Sequence, residues 1–521
     1  MKKPNPRGDR QDQLVFTAKY FDHPIPRYNS NALIRALRPL PDHLELQSLL
    51  TRLPEYDKSE RQLDRSFKTA RLQELMRTFY IGLPRVVDLM EMLHVMICEG
   101  YMERAPFSAE DHARRQQLYE LQESREFFQL DEDDEGSEFT SALMGIPGIG
   151  KSKALKRVSA PYRRVIYHPE LNIYQIPALL IEMPHKGVSL NALGHAIIRA
   201  LDKAFPQGRY YDQYLASDGN VEVLFLNAVA LMQTHYVGVL LVDESQNQEY
   251  RSAGGRQTKN AVTGQMPLAT LLISATNKAG LPMLMCGTPE LRDILGPRAS
   301  MTRRTVGRGM RTWKPLSLPT PTSDGGELLG EFDVVLQLLW DYQWTKTPFE
   351  LTRGVRNTFY YYSQGITDVI VKLFHDIQLR AIRRGGDEVV TEELIHAVAQ
   401  EELGPLTELT RAMREMDYDR TGQAADLAAY LRIDPHEMNF ERRIAQEGLV
   451  DSPENAAAEE PAPDDDDMPN IPLEATQEPV EVPTGPAPKK PRKARRKSAP
   501  DSQLSLPDID PVDNLDDALG G

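Results

Sequence analysis

The stretch Gly145-Ile146-Pro147-Gly148-Ile149-Gly150-Lys151-Ser152, entered from the apolar run Ser141–Met144, decides how the rest of the chain is read. It fits G-x-x-x-x-G-K-[ST], a loop whose glycines let successive backbone N–H groups turn inward around a phosphate at the positive end of the following helix. In that role Gly145 to Lys153 line a nucleotide such as ATP, Lys151 reaches its β- and γ-phosphates, and Ser152 holds Mg²⁺. Taken alone, the same residues also read as a Gly/Pro turn between a strand and a helix. The surroundings have to arbitrate.

Beyond the loop the pattern alternates as in an α/β unit: helix Lys151–Ser159, short apolar runs Arg164–Tyr167 and Ala178–Met183 of strand length, then an amphipathic helix Leu190–Phe205. Such alternation predicts a parallel sheet flanked by helices. Further on, Val237-Gly238-Val239-Leu240-Leu241-Val242-Asp243-Glu244 is a buried central strand that ends in two carboxylates. Open α/β sheets bind ligands at the carboxyl ends of their strands. Asp243 is thereby placed to hold Mg²⁺ through water or Ser152, and Glu244 to orient or deprotonate the attacking water. A helix Leu268–Asn277 precedes a strand Leu281–Cys286 that ends at Gly287-Thr288-Pro289, and Thr288 at that tip is the candidate sensor of a γ-phosphate.

Two stretches keep several readings. The polar segment Gln246–Gln265, with Arg251, Arg256 and Lys259, is either a nucleic-acid contact or a surface insertion. Ser300–Arg311, with Arg303, Arg304, Arg308 and Arg311, is a phosphate or DNA surface, a finger for a neighbouring subunit, or a solvated loop.

The flanking regions are helical or of biased composition. Residues up to about Arg27 read as polar, Pro-rich and loosely ordered, and Arg85–Tyr101 follows as a helix with a wide apolar face. On it, Met90, Met92 and Met96 read as core, and His94 as a boundary residue. Ala109–Leu130 reads as a helix running into the acidic linker Asp131–Gly136. After Phe332 come helices Val334–Tyr342, Phe349–Ser363, Ile366–Arg384, Thr391–Glu402 and Leu406–Met416, read as an all-α lid. From Asp451 the composition collapses into Pro, Ala, Asp and Glu around the basic block Lys489–Lys497, the signature of a disordered tail. That segment holds 17 acids against 7 bases, so it carries most of the net charge of −15 over 521 residues. The overall charge argues against a nucleic-acid coat protein. The two cysteines, Cys98 and Cys286, give neither a disulfide framework nor a metal-ligand spacing. With no long apolar run and no signal-peptide core at the start, the chain reads as soluble and cytoplasmic, without a membrane partner.

With these elements in order, the chain resembles an AAA+ ATPase, and more narrowly the TnsC-type, TniB-related regulators of target-selecting DNA transposons. The resemblance rests on Gly145–Ser152, on Val165–Asn172 (Val-Ile-Tyr-His-Pro-Glu-Leu-Asn), on Leu241–Gln246, on Gly287–Glu290 and on Ser363–Leu373. It implies an α/β AAA+ fold and covers roughly Leu143–Leu403; with the elements read above, the chain divides into a helical N-terminal partner-binding region (1–135), the nucleotide-binding domain (136–320), a helical lid with further helices (321–450) and the disordered tail (451–521), which the resemblance does not cover. It also implies a Mg²⁺-dependent ATP hydrolase that forms homo-oligomeric rings or filaments on double-stranded DNA. Such an assembly links a TniQ-type target selector to the transposase subunits TnsA and TnsB, and hydrolysis controls its disassembly. By motif position Lys151, Ser152, Asp243, Glu244 and Thr288 take the nucleotide roles. The arginine acting in trans falls within Arg303–Arg308, with Arg303 and Arg304 foremost. Pore-facing DNA contacts fall on Lys186, Arg251, Arg256 and Lys259. Where many lids of this kind carry a sensor arginine, this chain has Asp368 with Lys372 one turn on. The competing readings are a P-loop signalling or secretion-type ATPase with protein partners only, and a scaffold that binds nucleotide without turnover.

Overall fold

The computed structural model describes residues 15–124, 140–184, 190–205, 208–215, 221–248, 272–273, 275–277, 279–295, 310–321, 327–403, 409–411 and 413–414. The acidic linker, most of the helix expected over Leu406–Met416 and the tail from Asp451 lie outside the described residues.

In chain order the first elements are β1 (Val15–Thr17), α1 (Ala32–Arg35), α2 (His43–Leu50), α3 (Arg65–Thr78), α4 (Pro84–Met102) and α5 (Ala109–Ser124). Next come β2 (Thr140–Gly145), α6 (Lys151–Ser159), β3 (Val165–His168), β4 (Ile173–Gln175), β5 (Ala178–Glu182), α7 (Leu190–Ala204), α8 (Tyr210–Leu215) and α9 (Val221–Thr234). Then follow β6 (Val239–Asp243), β7 (Met283–Gly287), α10 (Leu291–Leu295), β8 (Met310–Trp313) and the short antiparallel pair β9 (Thr320–Pro321) and β10 (Glu327–Leu328). The last helices are α11 (Glu331–Trp340), α12 (Arg353–Ser363), α13 (Thr367–Arg384) and α14 (Glu392–Glu402).

Five strands form the central sheet in the order β5-β6-β7-β2-β8, every pair parallel. Strands β2, β6 and β7 are buried along their whole length. That burial explains why β6 and β7 read as apolar runs and β2 does so from Ala142, since both faces are covered. Alternation then sorts their side chains. Leu143, Leu241, Leu284 and Cys286 enter one core, shared with the N-terminal helices, α6 and α11–α14. Ala142, Met144, Leu240, Val242, Met283 and Met285 enter the other, shared with α7 and α9. Helix α9 was not foreseen. Its Leu224, Phe225, Leu226, Val229 and Met232 are all buried, and a helix apolar on most sides lacks the one-faced period that marks an amphipathic helix.

Three sequence expectations need correction. The run around Val165 is a strand, but outside the central sheet: β3 pairs in parallel with β1 and antiparallel with β4 in a separate three-stranded sheet. The N-terminal residues read as loosely ordered therefore include a paired strand, with Val15 opposite Val165. A buried polar chain holds this sheet together: His168 shares hydrogen bonds with the Tyr20 hydroxyl at 3.0 Å and with Gln175 at 2.8 Å. His94 is also more buried than a boundary residue. It bonds the Tyr162 hydroxyl at 2.9 Å, and burial pulls its imidazole down to about 4, so it is neutral at physiological pH. Met90 and Met96 are fully buried and Met92 packs against the same core, as expected, while Val95 on that helix faces solvent.

The N-terminal helices are fastened to the C-terminal ones by polar contacts as well as by the shared core. Lys68 of α3 is fully buried and pairs with Glu388 in the turn after α13, Nζ to Oε2 at 2.7 Å. The Trp344 indole donates to Glu60 at 2.7 Å, and Arg61 Nε donates to the Gln343 carbonyl at 2.9 Å. Among the described residues no helix is long and apolar enough to cross a membrane.

Candidate active site

Because β6, β7 and β2 are adjacent and parallel, their carboxyl ends lie along one edge. The phosphate-type loop follows β2, Thr288 follows β7, and Asp243 ends β6. These tips open onto a cavity of about 480 Å³, within the range of small-molecule sites. One end is lined by Pro147 to Lys153, Asp243, Glu244, Gln246, Gly287 and Thr288. The remainder is mostly apolar, with Met76, Phe79, Tyr80, Ile81, Leu83 and Val86 from the N-terminal helices facing Trp313, Leu316, Val335 and Val371.

At the loop, Lys151 Nζ donates to the carbonyls of Gly145 at 2.5 Å and Ile146 at 3.1 Å. An arriving phosphate would compete for that ammonium with stronger, charge-assisted bonds. Gly148 has φ +81°, and a Cβ there would lie 2.9 Å from Ile366 Cγ2. The close approach is made by the start of α13, whose Asp368 N–H donates to the Gly148 carbonyl at 3.1 Å. The lid therefore docks on the phosphate loop through backbone. The Asp368 carboxylate pairs with Lys372 at 2.5 Å, so the position where a sensor arginine was considered holds an ion pair. Lys153 points to the other wall and donates to the Phe79 carbonyl at 3.2 Å; burial pulls its ammonium below the ordinary value, opposed by Asp368.

Ser152 Oγ donates to Asp243 Oδ1 at 3.0 Å, and the Glu244 N–H donates to the same oxygen at 3.0 Å. Burial raises the Asp243 carboxyl above its usual range, while the Ser152 and Glu244 bonds oppose it. A hydroxyl and a desolvated carboxylate side by side are the hard oxygen donors that Mg²⁺ takes beside phosphate and water. The residues thus fit the ion: Ser152 and Asp243 would hold it, and it would neutralise phosphate charge. Behind Asp243, burial pushes the Cys286 thiol up, and both cysteines are free and buried.

Glu244 sits at φ +53°, a left-handed conformation that a glutamate adopts only when its surroundings hold it there. Its Oε2 accepts from Gln246 Nε2 at 2.6 Å, and Gln246 Oε1 accepts from the Thr288 N–H at 3.1 Å. Thr288 Oγ1 is buried and has no hydrogen-bond partner among the described residues. Left unpaired, a buried hydroxyl carries a desolvation cost that a polar partner, water included, relieves.

Of the residues singled out from sequence, Pro147 to Lys153, Asp243, Glu244 and Thr288 thus line one cavity end, with Gly145 and Ile146 supplying carbonyls beneath it. Lys186, Arg251, Arg256, Lys259, Arg303 and Arg304 lie outside the described residues. Sequence reasoning missed Gln246, whose one available signal was a polar residue just past the acid pair. It also missed the apolar wall from α3 and α4, which no motif marks.

Residues 137–295 match the family model of an AAA domain. No match is found among curated proteins. With its parallel sheet, acid-tipped strand and loop-borne lysine, the chain carries an AAA-type P-loop ATPase domain.

Proposed function

We propose that the protein is a Mg²⁺-dependent ATP hydrolase that assembles on double-stranded DNA and regulates transposition, linking a TniQ-type target selector to a TnsA/TnsB-type transposase. The observation that carries the hydrolytic part is the convergence of Lys151, Ser152, Asp243, Glu244 and Thr288 in the lining of one cavity. In that arrangement Lys151 binds the β- and γ-phosphates, Glu244 takes or orients the proton of the attacking water, and Thr288 holds a γ-phosphate oxygen. The apolar end encloses the base and excludes water.

The step to DNA and transposition rests on the resemblance of Val165–Asn172 and Ser363–Leu373 to the TnsC-type regulators. The first stretch runs through β3 of the second sheet, and the second spans the junction of α12 and α13, where the lid meets the phosphate loop. Arg303 and Arg304 are proposed to complete a neighbouring subunit's site, and Lys186, Arg251, Arg256 and Lys259 to meet the phosphates of DNA. The test is electron microscopy and sedimentation of the full chain with duplex DNA and a non-hydrolysable ATP analogue. Rings or filaments that dissolve as salt rises are expected, since phosphate contacts weaken steeply with ionic strength. No retention on DNA at low salt would end the DNA reading.

A further inference from the structure

Gln246 joins the two strand tips that carry Glu244 and Thr288, and its side chain is used at both ends. Its Nε2 donates to Glu244 Oε2 at 2.6 Å, and its Oε1 accepts from the Thr288 backbone N–H at 3.1 Å. Donor and acceptor chemistry fixes this orientation. Turned over, the amide would set its oxygen against a carboxylate and its NH₂ against an N–H. Space for it is made by Gly287, where a Cβ would stand 2.7 Å from Gln246 Oε1. Glu244 leaves β6 at φ +53°, so the direction of its carboxylate is set by what holds it and not by regular strand geometry. On the other side, Thr288 lines the same cavity, and its Oγ1 is buried without a hydrogen-bond partner among the described residues.

We infer that Gln246 is a positioning residue that couples recognition of the γ-phosphate at Thr288 to the placement of the Glu244 carboxylate for activating water. A phosphate oxygen bound by Thr288 Oγ1 fixes the tip of β7. The Thr288 N–H then fixes the Gln246 amide, and the amide fixes the glutamate. A glutamate in place of Gln246 could not serve, because it has no donor for a second carboxylate. The inference rests on the ATP-hydrolysis reading of this cavity.

The experiment measures, on the full chain, turnover at saturating ATP and the affinities of ATP and ADP by equilibrium binding. The variants are Gln246→Ala, Gln246→Glu, Thr288→Val and the double variant Gln246→Ala/Thr288→Val. Gln246→Ala and Gln246→Glu should lower turnover about 10- to 100-fold, the scale of a misplaced reacting group, with nucleotide affinity unchanged. Coupling also requires that the double variant lose less than the product of the two single losses. Gly287→Ala, which displaces the amide from the other side, should reproduce the turnover defect and stands as the second test if Gln246→Ala does not fold. Wild-type turnover in Gln246→Ala, losses that multiply independently, or affinity falling in step with turnover would each overturn the inference. A wild-type chain that leaves ATP intact would instead remove the hydrolase reading, and this inference with it.

Discussion

At the phosphate end of the cavity the functional groups sit on the tips of three neighbouring strands, within a few residues of motifs that can be read along the chain. At the apolar end the walls come from α3, α4, β8, α11 and α13, and what holds them together includes a buried ion pair between residues 320 positions apart. The first end is polar and chemically specified. The second is apolar, with Phe79, Val86, Leu316 and Val335 all buried in the same core as the lid. On the proposed reading, the phosphate end supplies chemistry and the apolar end supplies enclosure. Damage to the two should therefore show in different measurements.

The sharpest test of that division is Glu244→Gln. It should cut ATP turnover by roughly 10²- to 10⁴-fold, the usual worth of a general base, while ATP affinity stays at the wild-type level. Next in size is Lys68→Ala, which leaves Glu388 buried without its partner and should lower unfolding stability by about 3–5 kcal/mol in a denaturant titration. The double change Lys68→Met/Glu388→Leu should recover only part of that loss: an apolar pair of similar size replaces the ion pair, but the Lys346 N–H loses the Glu388 carboxylate that accepts from it at 2.9 Å. Tyr80→Ala removes part of the apolar-end wall and should weaken ATP and ADP equally, by about tenfold or 1.4 kcal/mol, as read by calorimetry. Unequal losses would place Tyr80 near the γ-phosphate and blur the comparison. Thr288→Val should do the opposite, reducing the preference for ATP over ADP by about fivefold, within the range for the net loss of one typical hydrogen bond.

The smallest effect concerns pH. Burial raises the Asp243 carboxyl in the folded chain, so the nucleotide-free protein carries an ionised group that its environment penalises. Asp243→Asn should be more stable than wild type at neutral pH. The gap should close as pH falls through the raised Asp243 pKa, where the wild-type carboxyl gains its proton. A gap that widens toward low pH would reverse the sign of the assigned shift.

Much of the phosphate end was legible because each of its groups is tied to a local backbone event. Gly148 is needed where φ is positive and Ile366 comes close, Lys151 and Ser152 open α6, and Asp243 closes a fully buried strand. Gln246 escaped because its role depends on Thr288, which lies on a different strand. The strand around Val165 was recognised but assigned to the wrong sheet, since its apolar run says nothing about which neighbour supplies its hydrogen bonds. Its partner, Val15–Thr17, is too short to announce itself. Helix α9 was passed over for the converse reason, being buried on too many sides to show a face.

The sequence by itself determined the local pieces of this protein: the glycine-rich loop with Lys151 and Ser152, the acid-tipped strand, the threonine at the next strand tip and the helices with a clear apolar period. Each of these depends on residues a few positions apart. Only the tertiary structure decided that the N-terminal helices supply apolar lining to the cavity beside the Gly145–Ser152 loop, that the lid rests on Gly148 through the Asp368 backbone, and that Gln246 spans two strand tips. Those relations join distant segments through packing and single hydrogen bonds. Packing constrains shape and volume far more than residue identity, so it leaves little periodic trace along the chain.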